Sequence, residues 1–233
     1  MINLWDIIGS IKINLNIISN NYKNMSKLII TNEKIVIPKG ANLNNQIDKE
    51  KLKEQFFNQD YENLKLLELI EPINYLQEEV TLLYPGCGID IFSPLIYLEK
   101  LLPNVKKANL IFVDTMSCLG IIKTIIDNVN ITFSEEKNKS ITFYWNKLLI
   151  NLKFKESDIH DLIEQLNYDI YFERAFRIMK EQLPNYEHLV YKQLNNYGIL
   201  ISDSGFKSQE LKKIKVPQEL SAYKEMIIGT KEK

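Results

Sequence analysis

Apolar and polar positions alternate in different ways along the chain, and the changes mark its elements. In the N-terminal quarter, "KLIITNEKIVIPKG" holds two short β-branched runs around Asn32 and Glu33, which predicts a hairpin between Lys27 and Ile37. "PKGANLNNQ" then breaks the pattern as a flexible linker would. From Asp48 to about Leu76 apolar residues recur at helical spacing, through Leu52, Phe56, Tyr61, Leu64, Leu67 and Ile70, with Pro72 as an interruption.

Beyond Val80 the periodicity changes. "VTLLY" leads into a helical "SPLIYLEKLL", with Ser93 read as N-cap and Pro94 at the first helical position. "NLIFV" precedes a helix through "CLGIIKTIIDN"; "ITF", "SITFYW" and "LLINLKF" then read as three strands, the last two joined at Asn146 and Lys147. Helix "SDIHDLIEQL", strand "YDIYF", two helical stretches divided at Pro184, strand "YGILIS" and a final strand in "EMIIG" complete the series. Continuous apolar strands separated by helices predict an α/β fold, an open and mostly parallel sheet covered by helices on both faces. The expected division is an N-terminal extension with a hairpin over residues 1–45 and an α/β domain over 46–233.

Composition narrows the partners. The 233 residues are 45% hydrophobic and 25% charged, with a net charge of -1, enough for a full core but without a global field to attract a phosphate backbone. Nucleic acid is therefore not an expected partner. The opening apolar stretch is interrupted by Asp6, Lys12 and asparagines, a pattern that fits neither a signal peptide nor a membrane span. Cys87 and Cys118 have no CxxC pairing and no companion histidine at ligand spacing. They predict reduced thiols in a cytoplasmic setting and no metal.

Chemistry is expected where the strands end. In open α/β sheets ligands bind beyond the carboxyl ends, near the point where strand order reverses. "LLYPGCGID" ends in Asp90, "NLIFVD" in Asp114, "YDIYFER" in Glu173 and Arg174, and "GILISDSG" contains Asp203. Carboxylates there can accept from hydroxyl or ammonium groups. They also suit capping of the helices that follow. Glycines in the first of these turns permit positive φ and close backbone approach to a ligand, and Asp114 follows Gly88 at an interval near the one expected for a ribose-binding acid. Cys87 reads as a small packing residue, and His160 and His188 as surface or capping residues.

The turn Tyr84, Pro85, Gly86, Cys87, Gly88 with Asp90, followed by Asp114 at the second strand end, resembles the class I S-adenosylmethionine-dependent methyltransferases. The resemblance covers about residues 80–205. It implies a Rossmann-like fold, S-adenosylmethionine as cofactor, and methyl transfer to a small molecule or protein side chain. By that resemblance Gly86 and Gly88 would let the cofactor approach the backbone, and Asp114 would hold the ribose. Asp90 is assigned to the cofactor's amino-acid end, while Glu173 and Arg174 are the catalytic or acceptor-orienting candidates. Two departures stand out: Tyr84 replaces the family's common acid, and Asp90 a third glycine. They keep a second reading open, a noncatalytic scaffold with a degenerate pocket.

Overall fold

A computed structural model describes residues 32–136, 139–207 and 210–233. The order of elements is α1 (Lys49–Glu54), α2 (Asn58–Leu64), a 3₁₀ turn (Lys65–Leu69), β1 (Glu79–Pro85), α3 (Phe92–Leu101), β2 (Lys107–Asp114) and α4 (Leu119–Asn128). Then come β3 (Phe133–Glu136), β4 (Ser140–Trp145), β5 (Leu148–Glu156), α5 (Ile159–Leu162) and β6 (Tyr168–Glu173). The last part holds α6 (Arg177–Gln182), α7 (Tyr186–Gln193), β7 (Leu194–Ser202), β8 (Leu211–Ile214), a 3₁₀ turn (Gln218–Leu220) and β9 (Ile227–Lys231).

The strands form one nine-stranded sheet in the order β3-β4-β5-β2-β1-β6-β7-β9-β8. Its centre, β5-β2-β1-β6-β7, is parallel throughout, and antiparallel pairs extend both edges. This is the expected open, mostly parallel α/β sheet. Alternate residues of each central strand enter different cores, as a pleat with period two requires. Leu82, Tyr84, Leu110, Phe112, Ile170 and Phe172 face one cluster with α3 and α4; Leu83, Val113 and Tyr171 face the other, with Ile159, Tyr186 and Val190. Burial on both faces explains why these strands read as unbroken apolar runs.

The chain moves outward from β1 to β2 and then to β5, returning to the other side of β1 as β6. Strand order therefore reverses between β1 and β6, which places a crevice at their carboxyl ends.

Two local readings change. The first run of the expected hairpin lies outside the described residues, and residues 32–38 carry no strand. The linker is docked rather than loose: Gly40 N donates to Phe133 O at 3.0 Å, Ala41 N to Ser134 Oγ at 3.0 Å, and Asp48 N to Val129 O at 3.0 Å. Leu211–Ile214 form edge strand β8, with Lys212 and Lys213 exposed. Edge lysines of this kind discourage pairing with another chain.

The β4–β5 hairpin turns at Asn146, in the left-handed region at φ 53°. Because that conformation costs an ordinary L-residue about 1–2 kcal/mol, Asn146→Val is expected to lower the unfolding free energy by about that amount. Asn146→Gly should stay within about 0.5 kcal/mol of the parent. Urea denaturation of the two variants checks the pair, and equal losses would show that the turn does not impose this constraint.

Candidate functional site

A cavity of about 680 Å³ opens at the reversal point, within the size range of small-molecule sites. Tyr84, Gly86, Cys87 and Asp90 border it from the β1 side, and Arg174, Ala175 and Asp203 from the ends of β6 and β7. Its outer wall comes from both ends of the described chain: Gln55, Phe57 and Asp60 around α1 and α2, and Glu219, Leu220 and Tyr223 after the last 3₁₀ turn begins. Among the described residues, none before Gln55 borders it.

The β1 turn is shaped by its glycines. Gly86 has φ 59° and donates to Val113 O at 2.8 Å, and a Cβ there would stand 2.6 Å from the Phe176 ring. The demand at Gly86 is thus made by the protein's own side chain. Gly88 has φ 50°, and a Cβ on it would meet nothing within 4 Å, so its backbone borders open space. Pro85 closes β1 without bordering the cavity. Cys87 is buried, and burial together with the nearby Asp114 charge pushes its thiol far above the ordinary range. A thiol held protonated in this way is no nucleophile, which agrees with its reading as a packing residue.

Asp90 is engaged on both oxygens. One accepts from Ser93 N at 3.1 Å, capping the first turn of α3; the other accepts from the Tyr84 hydroxyl at 3.0 Å and lies 3.6 Å from the Arg174 guanidinium. Asp90, one residue before the N-cap position Ile91, thus satisfies a first-turn amide, while Ser93 sits inside that turn and its hydroxyl accepts from Arg174. Tyr84, in the place of an acid, is wedged edge-on between Phe112 and Phe172, with centroids 5.4 and 4.9 Å away. Burial, and then the Asp90 charge, raise its phenol well above the usual value. It keeps its proton and donates it to Asp90.

Asp114 stands outside the cavity lining, on the other flank of the turn. It accepts from Gly88 N at 2.8 Å and from Met116 N at 2.9 Å, clipping the β1 and β2 loops together. Its exposure is intermediate, so its remaining lone pairs are accessible.

Glu173 and Arg174 diverge. Arg174 borders the cavity; Glu173 is fully buried and does not. The Glu173 carboxylate meets Lys180 at 2.7 Å and also accepts from the hydroxyls of Tyr171, Ser202 and Ser204. A charge enclosed with so complete a set of donors serves the fold. Asp203 is different again. It is 5% exposed and borders the cavity, and its carboxylate accepts from Ala175 N at 3.1 and 3.0 Å. Burial pushes its carboxyl up to about 6, while the Ala175 bond and Arg174 work against that shift.

The strand ends were legible in the sequence, Asp203 among them. The outer wall was not, since Phe57, Asp60 and Tyr223 belong to no motif. Among the described residues no cluster of three or more His, Cys, Asp or Glu could hold a metal ion, and no helix is long and apolar enough to cross a membrane.

No protein-family model and no curated protein sequence matches the chain. Among solved structures it is similar to coclaurine N-methyltransferase bound to N-methylheliamine and SAH, with 19% identity, 61% of this chain and 35% of that one covered, and a TM-score of 0.36. It is also similar to the cyclopropane synthase MmaA2 from Mycobacterium tuberculosis, with 12% identity, 60% and 40% covered, and a TM-score of 0.37. A third is TehB from Haemophilus influenzae, with 16% identity, 60% and 39% covered, and a TM-score of 0.36. The chain spans between 35% and 40% of the length of these three structures.

Two outcomes follow from the buried acids. Glu173→Gln removes the 2.7 Å partner of the buried Lys180 and leaves it only the longer Glu187 contact at 3.7 Å, and a loss of about 3–5 kcal/mol is expected in urea unfolding; a loss below about 1 kcal/mol would contradict the enclosed-pair account. For Asp203, the folded carboxyl titrates above its ordinary value of 3.8. From about pH 7 down to about pH 4 the folded state thus binds more protons than the unfolded one, and this group adds stability as pH falls. Unfolding curves across that window should show the gain in the parent protein and lack it in Asp203→Asn.

Proposed function

We propose that the cavity beyond β1 and β6 binds S-adenosylmethionine and that the protein transfers its methyl group to a small molecule or a protein side chain. The observation that carries this reading is the charge of the lining at the reversal point. Asp60, Asp90, Asp203 and Glu219 border the cavity against a single guanidinium, Arg174, which is itself paired with Asp90. Such a lining favours a cation over an anion, and a sulfonium is a fixed cation. Gly88 lies beside the cavity and not in its lining, and the open space before it would let a ligand reaching out of the cavity approach that backbone without meeting a side chain.

On this reading Gly86 and Cys87 form the floor under the ligand, Asp90 faces its ammonium group, and Asp114 accepts from its ribose hydroxyls across the turn, beside Gly88 and beyond the cavity lining. When bound, the sulfonium supplies an electrophilic methyl group. The chain's own residues would then hold donor and acceptor in line, which is where most of the rate advantage of such a displacement arises. Arg174, fixed by Asp90 and Ser93, is placed to orient an acceptor. Glu173 would hold β6 and β7 together behind it.

A specific observation favours the second reading, a noncatalytic binding or scaffold protein. Both oxygens of Asp90 and both of Asp114 already accept from groups of the protein, and a cofactor would have to share them. Calorimetry with S-adenosylhomocysteine separates the readings. Binding by the parent protein, weakened at least tenfold in Gly88→Val and by about 1–3 kcal/mol in Asp114→Ala, supports the cofactor site. No heat of binding to the folded parent protein would remove it. Gly86→Val is a poor probe, since its side chain would collide with Phe176 and disturb the fold.

A further inference from the structure

Asp203 has a part in the cavity that cofactor binding leaves unassigned. Its two oxygens share one donor, the backbone N–H of Ala175, at 3.1 and 3.0 Å. A carboxylate has about four acceptor positions, so most of its capacity remains available on a surface that borders the cavity. The charged and titratable groups around it are committed elsewhere. Glu173, at the end of β6, holds Lys180 of α6 at 2.7 Å; Arg174 is turned to Asp90 and Ser93; Tyr97 of α3 keeps its proton through burial. Across the cavity stand Tyr84, Asp60, Glu219 and Tyr223.

Resting on the methyl-transfer reading, we infer that Asp203 accepts the proton of an amine acceptor carried on an apolar group. The walls of Phe56, Phe57, Leu220 and Tyr223 suit the apolar group. Because the carboxylates outnumber the one paired guanidinium, a carboxylate or phenolate acceptor would be repelled and an amine would not. The step balances without a further reagent. The amine arrives as an ammonium and first passes one proton to Asp203. The lone pair so freed forms the C–N bond as the sulfur–carbon bond breaks, sulfur leaves with that electron pair as a neutral thioether, the methylated product departs as an ammonium, and Asp203 returns its proton to water. A carboxyl that titrates near neutral pH is well matched to this exchange.

The test uses the full chain saturated with S-adenosylhomocysteine, with benzylamine and benzoate as cationic and anionic probes of the same size. Benzylamine is expected to bind about tenfold tighter at about pH 7.5 than at about pH 5, as Asp203 ionises, and benzoate to bind more weakly than benzylamine at the higher pH. In Asp203→Asn the pH dependence should vanish, and with S-adenosylmethionine benzylamine methylation should fall by at least about 100-fold, while S-adenosylhomocysteine still binds. Benzoate binding as tightly as benzylamine, or a folded Asp203→Asn protein that keeps the pH dependence, would overturn the inference alone. Failure of the parent protein to bind S-adenosylhomocysteine would remove the methyl-transfer reading and the inference with it. Should the variant not fold, the parent's pH dependence and its preference between the probes decide the matter.

Discussion

The carboxylate of Asp90 joins the two halves of the sheet at the point where they part. Reversal of strand order between β1 and β6 leaves their carboxyl ends diverging, with a turn on one side and a loop on the other. Asp90 spans the gap by capping α3 at Ser93, accepting from Tyr84 beneath it, and drawing Arg174 across from β6. Each contact is modest alone, since a partly exposed ion pair contributes little. Together they fix the helix that follows β1, the rotamer of a core tyrosine and the one cation at the cavity. Tyr84 in turn packs on Phe172, the residue before Glu173, so the turn and the far strand are tied by packing as well as by charge.

The acids at the strand ends show how little a strand-end position says by itself. Glu173 and Asp203 sit at the tips of adjacent strands, Asp203 N donating to Glu173 O at 3.4 Å, and both are buried. Strand pleating separates their fates. Glu173 is followed by a turn through Ala175 at φ 53° that sends α6 back over it, and Lys180 on that helix completes its neutralisation. Asp203 has only the amide of the same Ala175. One carboxylate has been given everything it needs, the other just enough to be tolerated.

Much of this was written in the sequence at the level of elements. The apolar runs at 80–84, 109–113 and 168–172 gave the parallel strands because burial on both faces leaves no polar alternation to confuse them. The glycine turn and the strand-end acids followed from them. What escaped is instructive. Ser93 before Pro94 has the local look of a cap, yet the helix has already begun at Phe92, and Asp90, carried round by the Gly88 turn, accepts from the N–H of Ser93 itself. "PKGANLNNQ" has loop composition, yet Gly40, Ala41 and Asp48 find partners on β3 and after α4, contacts that only the tertiary fold supplies. Composition reports backbone preference, not which neighbour is waiting.

The cavity wall carries the same lesson into function. The strand ends that form its floor lie within the alternating α/β region, where period and spacing can be read. Its outer wall is assembled from residues 55–64 and 219–223, which meet only when both ends of the described chain fold onto the sheet; the α2 helix contacts the final 3₁₀ turn directly. A floor set by strand order and a wall set by appended segments can vary independently, since a loop tolerates change that a buried strand does not. On the methyl-transfer proposal, acceptor choice would rest with Phe57, Asp60, Leu220 and Tyr223 more than with the glycine turn, in the part of the sequence where no motif could have announced it.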